Sequence, residues 1–302
     1  MSATSTRTAE WTRRAERGNL PLLRLMAWFS LHFGRRLARI PLRVAAAYFL
    51  VAGGTAREAA REFLRRVHGR APTLREQYDL FFTFASTVHD RVYLLKDRFD
   101  LFDIDVRGAD LFDGRGALLM GAHLGSFEVM RASGRHFGQR RVVMAMYEEN
   151  ARRINAVLAS IDPAAMQDIV ALGRSDSMVE LARRLDAGAL AGVLADRTLG
   201  DEPTVSIEFL GRSAAFPIGP MRMAAALRQR VMFMAGLYRG GNRYEIRFEP
   251  LADFGDLDGV SRAERDRRIE EAVHEYAKCL ERHARDAPSN WFNFHDFWRN
   301  AA

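Results

Sequence analysis

Cysteine is nearly absent from this sequence. Cys279 stands alone and has no partner for an internal disulfide, which excludes a stapled secreted scaffold and a thiolate metal cluster and suits a reducing compartment. Lysine is almost missing too, with only Lys96 and Lys278, so arginine carries the positive charge. Long apolar runs are lacking. The longest uncharged stretch, 44–56, falls well short of the roughly 20 residues that a membrane span needs. There is no Gly-x-Ser-x-Gly elbow and no P-loop, and Gly114-Arg-Gly116 precedes its strand, the wrong side for a dinucleotide site. No two histidines stand four apart, so the expectation is no metal and no bound cofactor.

What the sequence does contain is an ordinary globular balance, with 302 residues of which 48% are hydrophobic and 27% charged. The net charge of +7 is concentrated. Nine arginines from Arg7 to Arg43, opposed by Glu10 and Glu16, account for all of it. They alternate with Trp11, Leu22, Leu25, Trp28, Phe29, Leu31 and Phe33, a pattern that suits the surface of an anionic membrane. Nucleic acid is the competing partner for such charge and is not expected here, while arginine-rich coding is the bland reading. Arginines running through the apolar segment argue against a secretory signal, so the segment is expected to lie on the bilayer or dip into it. The expected division is a basic, flexible 1–19, a helical membrane-associating 20–98 and an α/β region 99–302. The last two form one unit, since no linker rich in Gly, Ser and Pro separates them.

Helical composition dominates to about Arg98, and Thr73-Leu-Arg-Glu76 reads as a capping box. The period then changes. Strands are expected at 102–106, 116–121, 141–146, 189–195, 205–210, 231–238 and 243–248, with helices at 127–137, 150–160, 177–188 and 218–229 and a last one capped by Ser261. Ser177-Met-Val-Glu180 reads as a second capping box. The fold class is therefore α/β, with a central mostly parallel or mixed sheet flanked by helices and preceded by the helical N-terminal region.

The chemistry-bearing segment is His123-Leu-Gly-Ser-Phe-Glu128, which directly follows the continuous apolar run 116–121. Ligands in open α/β sheets sit where strands end and chain turns into helix. Ser126 is a plausible N-cap, so Glu128 falls in the first helical turn and is expected to reach back to the imidazole. Gly125 would let backbone amides approach a substrate oxygen. An acid five residues after one of eight histidines arises by chance about once in a chain of this composition. Location, not spacing, raises His123 above a satisfied structural histidine.

In the setting Leu118-Leu-Met-Gly-Ala-His-Leu-Gly-Ser-Phe-Glu128, this motif resembles the lipid A biosynthesis late acyltransferases, part of the glycerolipid acyltransferase superfamily. The likeness extends to Phe84-Ala-Ser-Thr-Val-His-Asp-Arg91, the Ala195-Asp-Arg197 turn, Phe209 to Pro217 and the aromatic segment near Trp291. It implies transfer of a fatty acyl group from acyl carrier protein to a hydroxyl of a lipid or glycolipid at the cytoplasmic face of the bacterial inner membrane. His123 would be the general base and Glu128 its orienting partner. Gly125, Ser126, Asp196, Arg197 and Arg152 or Arg153 would contact substrate. Arg197 departs from the family's turn, and Glu148-Glu149 resembles a subset associated with aryl polyene or pigment lipids. A non-catalytic envelope protein on the same scaffold and an acyl-thioester hydrolase are the alternatives. Methionines such as Met130, Met144, Met166, Met221 and Met232 could line an acyl groove, although core packing is the commoner role. His295 beside Asp296 is a weaker pair, because neighbours in an extended segment face opposite ways.

Overall fold

The computed structural model describes residues 20–130, 134, 141–147, 169–173, 176–198 and 202–299, with side chains from Trp28 onward. The expected basic tail 1–19, the helix 150–160, Arg152, Arg153 and Met166 lie outside the described residues.

The N-terminal part is three helices: α1 (Leu20–Ala52), α2 (Thr55–His68) and α3 (Leu74–Leu94). Glycine at position 34 takes φ 79°, a left-handed value that breaks α1, and Pro41 follows inside the helix. The capping box opening α3 forms as expected: Thr73 Oγ1 accepts from the Glu76 N–H at 3.2 Å, and the Glu76 carboxylate accepts from the Thr73 N–H at 2.7 Å.

The remainder builds a seven-stranded sheet in the order β1-β9-β8-β2-β5-β3-β4, made of β1 (Asp103–Arg107), β2 (Ala117–Gly121), β3 (Val142–Tyr147), β4 (Ile169–Leu172), β5 (Leu190–Leu194), β8 (Arg230–Tyr238) and β9 (Arg243–Asp253). All neighbours are parallel except the β8/β9 pair. Every residue of β2 is buried, which is why its sequence is an unbroken apolar run. Leu118 and Met120 face one apolar layer, Ala117 and Leu119 the other, and the C-terminal helix Arg262–Asp286 covers the first through Ile269, Val273, Tyr276 and Leu280. The methionines divide between these layers, Met221 in one and Met130, Met232 and Met234 in the other, so they pack the core on both sides of the sheet.

Two strands are absent from the sequence reading. β4 has four residues without alternation. β7 (Arg212–Pro217) pairs with β6 (Thr204–Phe209) through Leu210 and Gly211, both at positive φ, the geometry of a tight hairpin turn. The second capping box also differs. Helix α4 (Ser177–Asp186) has Asp176 as its N-cap residue, Ser177 Oγ donates to the Ala171 carbonyl, and Glu180 pairs with Arg183 and Arg184.

Helix α1 is two-faced. Phe33, Leu37, Ile40, Val44, Tyr48 and Val51 recur at three- and four-residue intervals and are exposed, with Arg36 and Arg43 also exposed among them. The inward face carries Arg35 and Arg39, two of the arginines that charge alone would assign to a membrane. Arg35 binds the buried Asp90 in bidentate fashion at 2.7 Å through both bonds. Tyr244 Oη donates to Asp90 at 2.9 Å, Arg39 reaches Ser86 and Tyr238, and His89 pairs with Ser30 at 2.9 Å. Burial works to raise the Asp90 carboxyl, but the close approach of His89 and the hydrogen bonds and charge of Arg35 hold it below its ordinary value. Among the described residues no single helix is long and apolar enough to cross a membrane, though α1 and α2, bent at 90°, pass by composition as a pair.

Removing one partner of this buried network leaves a guanidinium without its counter-charge. Asp90→Ala should therefore cost about 3–5 kcal/mol of stability, read from denaturant midpoints.

Candidate active site

His123 stands two residues beyond β2, and Asp196 two residues beyond the neighbouring parallel strand β5. Parallel pairing with Gly121 opposite Leu194 brings both strand ends to the same edge of the sheet. Asp196 Oδ1 lies 2.8 Å from His123 Nδ1, and Asp196 Oδ2 accepts the His123 backbone N–H at 3.0 Å and the Trp291 indole N–H at 3.1 Å. Desolvation alone would raise this buried carboxyl. The charge and hydrogen bond of His123, then the Arg197 charge, hold it far below the ordinary carboxylate range. Asp196 is thus ionised and can only accept, so Nδ1 carries the ring proton and Nε2 keeps its lone pair. The His123 side chain is 30% exposed, and among the described residues Nε2 has no hydrogen-bond partner.

Burial first, and then the nearby Arg197 charge, lower the imidazole pKa below 6.5, with Asp196 acting in the opposite direction. The ring is neutral at pH 7, the state a proton acceptor needs. Arg197 also donates to the Phe292 carbonyl at 3.1 Å, which ties the turn after β5 to the aromatic segment.

The expected partnership between His123 and Glu128 does not form. Glu128 is buried with its carboxylate 3.4 Å from Arg91 Nε of α3, and no hydrogen bond or ion pair joins it to the imidazole. The reason is steric order: the strand-end carboxylate already occupies Nδ1, and a buried acid in the first helical turn finds its counter-charge in α3. Ser126 is the cap expected of it, its Oγ accepting from the Val129 N–H at 3.3 Å.

Gly125 also acts differently from the expectation. Its φ of +75° is left-handed, and a Cβ there would sit 2.0 Å from the Gly236 carbonyl oxygen. The Gly125 N–H donates to the Asn290 carbonyl at 2.8 Å and the Ser126 N–H to the Gly236 carbonyl at 2.7 Å. Both amides are committed to the fold, so glycine here permits close packing on β8 and supplies no donor to a substrate.

The functional candidate missing from the sequence reading is Trp291. It lies 95 residues from Asp196 and no spacing rule connects them. Its fully buried ring packs edge-on against Phe63 and Phe209, which fixes where the indole N–H points. Among the described residues no group of three His, Cys, Asp or Glu side chains is placed to hold a metal ion.

The family model described as bacterial lipid A biosynthesis acyltransferase matches residues 82–300, well over half of the chain and all of the site just described. The chain belongs to that family and is an acyltransferase. Similarity to solved structures is weaker. The crystal structure of the 1-acyl-sn-glycerophosphate (LPA) acyltransferase PlsC from Thermotoga maritima aligns over 86% of this chain and 97% of its own at 16% identity, with a TM-score of 0.36, too low to carry an argument. No curated protein matches. In this member of the lipid A acyltransferase family, the family's His-x4-acid spacing is present while the imidazole is held by an acid from the next strand.

A titration of the His123 ring protons by NMR should give a pKa below 6.5. Asp196→Asn should move it lower still, because the substitution removes the charge that raises the imidazole and leaves burial and Arg197 in place.

Proposed function

We propose that this acyltransferase moves a fatty or polyene acyl chain from an acyl carrier protein thioester to a hydroxyl of a lipid or glycolipid acceptor, at the cytoplasmic face of the bacterial inner membrane. The observation that carries the reading is the imidazole itself: Nδ1 held by an ionised, buried carboxylate, Nε2 without a hydrogen-bond partner among the described residues, and the ring partly exposed to solvent. In the proposed step Nε2 takes the proton of the acceptor hydroxyl while its oxygen attacks the thioester carbonyl. The carbon–sulfur bond breaks, an ester forms, and the imidazolium returns the proton to the departing thiolate. Asp196 stabilises the imidazolium. General base action of this kind contributes about 10²- to 10⁴-fold.

The lipid setting draws support from a run of rings. Phe49 on the exposed side of α1 stacks on Phe81 at 6.3 Å and Phe81 on Phe294 at 5.3 Å. Phe84 packs against both Phe294 and Phe292 at 5.2 Å. Phe292 in turn donates its N–H to the His123 carbonyl at 2.7 Å. The apolar stripe of α1 is thus joined by aromatic contact to the neighbourhood of the reacting ring. A stripe of this extent on a water-facing helix calls for a cover, and an anionic bilayer matches the exposed Arg36 and Arg43 beside it. Acyl carrier proteins as donors follow from the family resemblance.

With a labelled acyl carrier protein thioester and a dispersed bacterial lipid extract, His123→Ala should lower transfer by about 10²-fold or more with the fold intact, and wild-type turnover would remove the base assignment. Transfer by the native enzyme should stay level near neutrality and decline as pH falls through the lowered imidazole pKa, because only the neutral ring accepts a proton. Equal use of the coenzyme A thioester would argue against the carrier protein, and free fatty acid as the main product would make the enzyme a hydrolase. Leu37→Glu combined with Val44→Glu should release the protein from anionic vesicles in a flotation assay while detergent-dispersed substrate is still turned over.

A further inference from the structure

Two buried asparagines stand three residues apart in the C-terminal segment whose backbone bonds to the His123–Gly125 turn, and they differ in one respect. Asn290 is saturated: its side-chain oxygen accepts the Tyr238 N–H at 2.7 Å and its side-chain nitrogen donates to the Tyr238 carbonyl at 3.1 Å. Asn293 is 2% exposed, and neither its Nδ2 nor its Oδ1 has a hydrogen-bond partner among the described residues. It is the only side chain among them whose donor and acceptor are both buried and unmet. Folding rarely tolerates a carboxamide in that condition, and when it persists beside a reacting group a ligand is the natural complement.

Its place in the chain says which part of the reaction it serves. Phe292, one residue earlier, donates to the His123 carbonyl, and Trp291, one before that, donates to Asp196. The Phe292 and Phe294 rings lie side by side with centroids 6.5 Å apart and both pack on Phe84, so the intervening Asn293 projects to the opposite side, the side of Trp291. Acyl transfer builds negative charge on the thioester carbonyl oxygen, and that oxygen needs N–H donors. The backbone amides of His123, Gly125 and Ser126 are already used inside the fold.

We infer that the Asn293 carboxamide is an oxyanion donor, its N–H2 stabilising the thioester carbonyl oxygen as the tetrahedral intermediate forms. The inference rests on reading His123 as the base and adds a second catalytic residue to it. No proton moves through Asn293. It donates a hydrogen bond that strengthens as charge develops and relaxes when the carbon–sulfur bond breaks.

The test uses Asn293→Leu, similar in shape and without polar atoms, and Asn293→Asp, which keeps the acceptor oxygen and loses the donor when ionised. Both are assayed beside His123→Ala with lauroyl acyl carrier protein as donor and a bacterial glycolipid extract as acceptor. The expected result is a kcat lowered by about 10²- to 10³-fold in both Asn293 variants, a donor KM within a few-fold of wild type, and a thermal midpoint for Asn293→Leu unchanged or raised, since unmet polar atoms have been removed. Wild-type kcat in Asn293→Leu overturns the inference. So does a lowered midpoint or failure of both variants to fold, because the carboxamide would then be engaged in the structure. An active His123→Ala overturns the base assignment instead, so the two failures are distinguishable.

Discussion

One carboxylate organises the site. Asp196 accepts from a ring nitrogen and a backbone amide of His123 and from the Trp291 indole, so a single buried side chain draws together the end of β2, the end of β5 and the aromatic segment. Its charge is sustained by donors that burial alone would not provide. In return it sets the tautomer of the imidazole, which decides which nitrogen keeps its lone pair. The glycine contact between Gly125 and Gly236 completes the arrangement from below by letting the turn after β2 rest directly on β8.

A second buried carboxylate does comparable work for the helical part. Asp90 turns Arg35 inward and leaves the apolar side of α1 outward, so a helix that is basic by composition presents chiefly hydrocarbon and aromatic surface. Charge counting along the sequence assigns all nine N-terminal arginines to one role. The structure gives Arg35 and Arg39 to the interior and leaves Arg36 and Arg43 exposed.

The sequence made legible those features that depend on near neighbours. The all-buried run of β2, the Thr73–Glu76 and Ser261 caps and the strand-to-helix turn at His123 all lie within a few residues of their causes. The family likeness came from the same local motifs. The identity of the acid on Nδ1 was not legible, because 73 residues separate it from His123, and only the pairing of β2 with β5 makes them neighbours. Glu128 misled for the complementary reason: its spacing is compatible with the imidazole, but Arg91 arrives from α3, which no local pattern reports. Ser177 shows the same limit on a smaller scale, since the end of β4 offers its hydroxyl an acceptor that a capping rule does not see.

The reach of the contacts to Asp196 also bears on assembly. Its ties span 73 and 95 residues, so they belong to the long-range class whose closure must first overcome loop entropy. A chain that has formed its individual helices but not yet paired β2 with β5 has a histidine and an acid without a shared orientation. The paired geometry of His123 and Asp196 is therefore a property of the finished domain, set by contacts that no single helix or hairpin holds by itself.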